Sequence, residues 1–193
     1  IATVDGGSSW GHEDLLANLW VNPLEDINHN GRFDPTAAGQ GGDLDGIDND
    51  GNGFVDDVIG WNFANKSNNP RGSTPVNADH GTATASVFGA RTNNGIGMAG
   101  SSWNCRLMPV CAGGTADNSI AFGPEGIEYA ARNGAKVINC SWGRTGSFSL
   151  FEQDVINAAA QAGALVVVSA GNGTNNNSVG KSNDLIPDYP ASY

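Results

Sequence analysis

Two stretches of the sequence share the pattern D-x-D/N-x-N-G-x-x-D, at Asp26-Ile27-Asn28-His29-Asn30-Gly31-Arg32-Phe33-Asp34 and Asp48-Asn49-Asp50-Gly51-Asn52-Gly53-Phe54-Val55-Asp56. Oxygen-bearing side chains at alternate positions, then a glycine for a sharp turn, then another carboxylate, make up the first nine positions of an EF-hand-type calcium loop. The candidate side-chain ligands are Asp26, Asn28, Asn30 and Asp34 in the first loop, and Asp48, Asp50, Asn52 and Asp56 in the second. The backbone carbonyls of Arg32 and Phe54 fill the seventh position. Neither loop has Glu at the twelfth position, which is Ala37 in one and Ile59 in the other, so a bidentate ligand must come from elsewhere. Asp43, Asp45 and Asp57 are close by in sequence. Two solvated Asx-rich turns fit the same residues. Repetition of the pattern and its dense charge favour calcium.

A second candidate for chemistry is His80, at the head of a run of small residues in which Ala83, Val87 and Ala90 recur at helical spacing. Asp79 offers an N-terminal cap and Gly81 lets another backbone come close. An imidazole fixed at the head of such a helix is placed to act as a base. A surface histidine that merely caps the helix fits equally well. A third is Asp5, a carboxylate at the end of the apolar run Ile1-Ala2-Thr3-Val4 and followed by two glycines. In open α/β sheets the C-terminal ends of parallel strands carry ligands, although Asp before Gly is also an ordinary turn.

The chain has 193 residues, enough for one domain with a sizeable core, and a net charge of −11. Residues 24–57 hold nine acidic side chains against Arg32 alone, so this window supplies −8 of the total. The acidity has a local cause, and it argues against nucleic acid as a partner. Cys105, Cys111 and Cys140 are an odd count without metal-ligand spacing and read as buried thiols. No apolar stretch reaches membrane-span length, and none of these residues reads as a signal peptide. The start without Met, inside an apolar run, suggests a processed product or a fragment.

Short strands are expected at Ile1–Val4, Val58–Phe63, Leu107–Ala112, Lys136–Cys140 and Ala164–Ser169. Pro109 is awkward within the third of these. Pro124 and Glu125 open a helix that Gly134 stops, and Leu150, Phe151, Val155, Ala158, Ala159 and Ala162 mark another that Gly163 stops. Helices alternating with short apolar strands predict a three-layer, doubly wound, mostly parallel α/β sheet with helices on both faces. Asp5, Ser141-Trp142-Gly143 and Asn172 then gather along one edge of it.

Val4-Asp5-Gly6-Gly7, His80-Gly81-Thr82, Val137 to Gly143 and Ser169-Ala170-Gly171-Asn172 resemble, in order, segments of the subtilisin-like serine peptidases. The resemblance covers nearly the whole chain. It implies a serine endopeptidase acting on protein or peptide substrates, in which Asp5 is the catalytic Asp, His80 the general base and Asn172 the donor to the oxyanion. It further implies that Ser141-Trp142-Gly143 pairs with the substrate backbone and that Ala170-Gly171 walls the primary specificity pocket. In that reading Trp142 is expected to narrow or line a subsite. The acidic insertion followed by Gly60-Trp61-Asn62-Phe63 resembles bacterial secreted members, which implies a secreted or cell-surface protein.

The chain departs from the family pattern at Gly6, where Ser or Thr is usual, and at Ala83, where His is usual. A Gly-Thr-Ser-Met-Ala-type nucleophile segment is absent. The expectation is therefore the N-terminal two-thirds of a catalytic domain, incomplete at both ends, inactive alone, and partnered by a C-terminal segment that carries the serine. A non-catalytic relative kept for binding, or an unrelated calcium-dependent adhesion module, are the alternatives.

Overall fold

The apolar runs form short parallel strands in a computed structural model that describes residues 1–72, 75–114, 119–173 and 180–193. Four strands, β1 (Ala2–Asp5), β2 (Met108–Cys111), β3 (Val137–Cys140) and β5 (Leu165–Val168), make one parallel sheet in the order β2-β1-β3-β5. The first strand is therefore central, with Ala2 opposite Met108 on one side and Ile138 on the other. A two-residue pair, β4 (Arg144–Thr145) with β6 (Asp188–Tyr189), is antiparallel and separate.

Strand alternation divides β1 between two layers. Ala2 and Val4 point into a core shared with α2 (Gly123–Arg132) and α3 (Leu150–Gln161). Gly126 of α2 sits against Val4, where a Cβ would lie 2.7 Å from Val4 Cγ1. Thr3 and Asp5, buried on the other face, look towards α1 (Pro75–Gly89), whose Ala85 packs with Leu15, Leu19, Ile59 and Leu107 in a second core. Helices therefore cover both faces, and the three-layer α/β architecture expected from the sequence is found.

Local signals act as expected in α2 and α3. Pro124 and Glu125 occupy the first turn of α2, and Gly134 follows it at φ +82°. Ser149 caps α3 by accepting the Glu152 N–H, while the Ser149 N–H itself donates to the Tyr193 hydroxyl at 3.3 Å. At β5 the face beneath α1's layer is bare: Leu165 and Val167 are 64% and 43% exposed.

Three expectations need correction. The small-residue helix starts at Pro75, a residue suited to a first turn, so Asp79 and His80 lie within its first two turns and Asp79 is not the cap. Residues Val58–Phe63 make no strand. They pass the edge of β2 with one isolated bridge, Asn62 to Cys111, because Pro109 has no N–H to extend the ladder and Gly60 is pressed onto the Pro109 carbonyl. Cys105 lies outside β2, its thiol directed to the Phe88 carbonyl; all three cysteines are free, and two are buried.

Candidate active site and acidic loops

Asp5 ends the central strand, and α1 crosses directly above it. The contact is close because Gly81 lies on the Gly7 carbonyl and on Asp5 Cβ, where any side chain would collide. That approach brings His80 Nδ1 to 2.8 Å from Asp5 Oδ1. A carboxylate acceptor puts the proton on Nδ1 and leaves Nε2 as an acceptor. Asp5 also takes the Gly6 N–H at 2.7 Å and the Thr84 hydroxyl at 3.4 Å. Its side chain is 2% exposed, that of His80 54%. Burial pushes the Asp5 carboxyl above its ordinary range, and the hydrogen bonds from His80 and Gly6 oppose that rise.

Beyond β3 and β5 opens a cavity of about 730 Å³. Ser141, Trp142, Gly143, Gly171 and Asn172, all singled out in the sequence, line it together. Trp142 lies over Gly123 and donates its indole N–H to the Val4 carbonyl at 2.8 Å, tying the cavity wall to the strand that carries Asp5. Ala170 does not line the cavity; its carbonyl accepts the Asn183 amide. Neither Asp5 nor His80 belongs to the lining.

The acidic loops fold as the glycines dictate. In the first, Asp26 accepts the N–H groups of Asn30 and Gly31, and Asp34 accepts the amides of Asn28 and Asn30. Asp43 takes the Asp34 N–H through one oxygen, while its other oxygen is buried without a partner. In the second, Asp48 accepts from Asn52 and Gly53 in the same way.

Two carboxylates depart there from the expected pattern. Asp56, expected as a ligand, turns out of the loop and accepts the N–H groups of Asp45 and Gly46 at 2.9 and 3.1 Å. Its φ of +54° redirects the side chain. Glu25 reaches the second loop instead. One of its oxygens accepts from Asn49, the other is buried and unpartnered, and ligand atoms of Glu25, Asp48 and Asp50 lie within 4.8 Å of one another. Burial, opposed by the Asn49 N–H and reinforced by the charge of Asp57, pushes the Glu25 carboxyl up to about 7. Asp57, also raised by burial, stands at about 6 although Tyr129 donates to it at 2.6 Å.

An all-oxygen donor set with orphaned buried oxygens at Glu25 and Asp43 fits a hard cation such as calcium. Glu25 was legible only as the residue before the first loop. A further unforeseen carboxylate is Asp14, which holds the turn after α1 by accepting from Asn94 and Met98.

The chain is 36% identical over 138 residues to thermitase from Thermoactinomyces vulgaris, a match covering 70% of this chain and 44% of that protein. It is 33% identical over 182 residues to subtilisin-like protease 1 of Plasmodium vivax, covering 89% of this chain and 24% of that protein. Among solved structures, a protease from Pseudoalteromonas arctica superposes with a TM-score of 0.54 at 27% identity, over 88% of this chain and 48% of that one. The chain thus spans less than half the length of these relatives. A family model described as the subtilase family matches residues 1–193, and the chain belongs to that family.

Proposed function

We propose that this chain supplies the acid–base half of a serine endopeptidase, together with its oxyanion donor and specificity pocket. The observation that carries the reading is the 2.8 Å pair of Asp5 and His80 at the end of the central strand. In that reading His80 Nε2 takes the proton of a serine hydroxyl as it attacks the scissile carbonyl, then returns it to the leaving amine. Asp5 keeps the proton on Nδ1 and stabilises the imidazolium. Asn172 donates its amide to the oxyanion. Residues 141–143 pair with the substrate backbone, and Gly171 walls the pocket.

The nucleophilic serine is assigned to a segment outside these residues. Calcium, when bound by Asp26, Asn28, Asn30, Asp34 and Asp43 and by Glu25, Asp48, Asp50 and Asn52, neutralises the acidic insertion. Secretion to the cell surface or beyond fits extracellular proteases among the relatives.

The test is a protein-substrate assay with calcium. The 193-residue chain is expected to be inactive alone and to gain phosphonate-sensitive turnover with a C-terminal segment carrying the serine. That turnover must vanish on His80→Ala. Turnover that survives this change overturns the reading, and failure to gain any favours a non-catalytic binding role.

A further inference from the structure

The floor of the cavity carries an ion pair. Lys181 Nζ lies 2.9 Å from Asp188 Oδ2, with the two side chains 10% and 9% exposed. The carboxylate reaches the cavity because its walls are glycines. A Cβ on Gly143 would lie 3.0 Å from Asp188 Oδ1, and one on Gly171 would collide with Oδ2.

The two members of the pair are held differently. Asp188 belongs to β6, is paired with Thr145 of β4, and has its N–H fixed by the Ser192 hydroxyl at 3.2 Å. Lys181 belongs to no strand or helix. It reaches the carboxylate on a four-carbon stem, and among the described residues its other anchor is the exposed Thr145 hydroxyl at 3.2 Å. The carboxylate is thus the fixed element and the ammonium the movable one. The other charged pair of the lining, Arg144 with Glu152 at 2.6 Å, compensates itself.

We infer that Asp188 makes this cavity a subsite for a cationic side chain of the substrate, lysine or arginine, with the Lys181 ammonium holding the place until it is displaced. An unpaired carboxylate on a shielded floor is costly, so the empty pocket needs an internal counterion. Exchange of that counterion for a substrate cation preserves the charge balance. A neutral ligand gains nothing from the carboxylate, and an anion meets it head-on. The inference rests on the peptidase reading only in calling the ligand part of a substrate.

The experiment is calorimetric titration of the 193-residue chain with benzamidine, benzamide and benzoate. Benzamidine is expected to bind at least about tenfold more tightly than benzamide, and benzoate not at all. Asp188→Asn should abolish that preference. Lys181→Met, which removes the competitor, should tighten benzamidine about tenfold and leave benzamide unchanged. Equal affinities, a preference for benzoate, no binding of any probe, or weaker benzamidine binding by Lys181→Met would each overturn the proposal. If Asp188→Asn does not fold, the Lys181→Met arm decides alone. His80 plays no part in these measurements, so a failed peptidase assay and a failed binding assay remain separate results.

Discussion

Asp5 and His80 are 75 residues apart in the chain and 2.8 Å apart in the fold. What joins them is Gly81, one residue beyond the imidazole, whose missing side chain lets α1 rest on the Gly7 carbonyl. The geometry of a strand end and a helix that touch at one glycine makes the pair sensitive to changes that leave both of its members intact.

Gly81→Ala is therefore expected to destabilise the protein by about 2–3 kcal/mol, because the new methyl meets backbone that cannot rotate away. Thermal unfolding measures the loss. Unchanged stability would mean that α1 does not press on β1 as described.

In a form that carries the nucleophile, Asp5→Asn should lower kcat by about 10⁴-fold, since the amide no longer holds the proton on His80 Nδ1. KM should change little. A loss confined to KM would place Asp5 in substrate binding instead.

Asn172→Ala should cost such a form about 10²–10³-fold in kcat by removing one oxyanion donor. Asn172 is exposed at the cavity rim, so folding should be unaffected, as circular dichroism would confirm. A full-rate variant would leave Asn172 without its assigned role.

Metal removal and pH should interact at the acidic loops. Glu25 and Asp57, raised by burial to about 7 and 6 from ordinary values of 4.5 and 3.8, bind protons more tightly folded than unfolded. Their contribution to stability is full below those ordinary values and is lost as pH rises through 6 and 7. Chelator-treated protein should therefore melt at progressively lower temperature from pH 5 to pH 8. Saturating calcium should abolish that decline and raise Tm at pH 7.5 by about 10 °C. A melting curve indifferent to calcium at pH 7.5 would count against cation binding at either loop.

Much of the scaffold was legible because its signals are local. Apolar runs marked four of the strands, Pro124 and Gly134 bounded α2, and Gly81 announced a close approach. The glycines of the acidic loops also turn the chain where their spacing requires, Gly31 at φ +72° and Gly53 at φ +95°. What escaped depends on contacts distant in sequence. Glu25 meets Asp48 and Asp50 only through the fold, and Asp56 is drawn away by N–H groups ten residues earlier. Val58–Phe63 has the composition of a strand, but its neighbour offers Pro109 where a donor is needed. Lys181 and Asp188 show nothing in sequence to distinguish them from solvated charges. Their pairing appears only once two glycine walls enclose them.

The central position of β1 bears on how the molecule is made. Its neighbours β2 and β3 begin more than 100 residues later, so of the four strands of this sheet the one synthesised first must wait longest for partners. At about 5–20 residues per second, the roughly 130 residues separating β1 from β3 take on the order of ten seconds to emerge. Until β2 emerges Ala2 and Val4 have no strand to pair with, and until β3 emerges one edge of β1 stays open. Asp5 is translated 75 residues ahead of His80, and it is positioned only once both neighbouring strands have arrived.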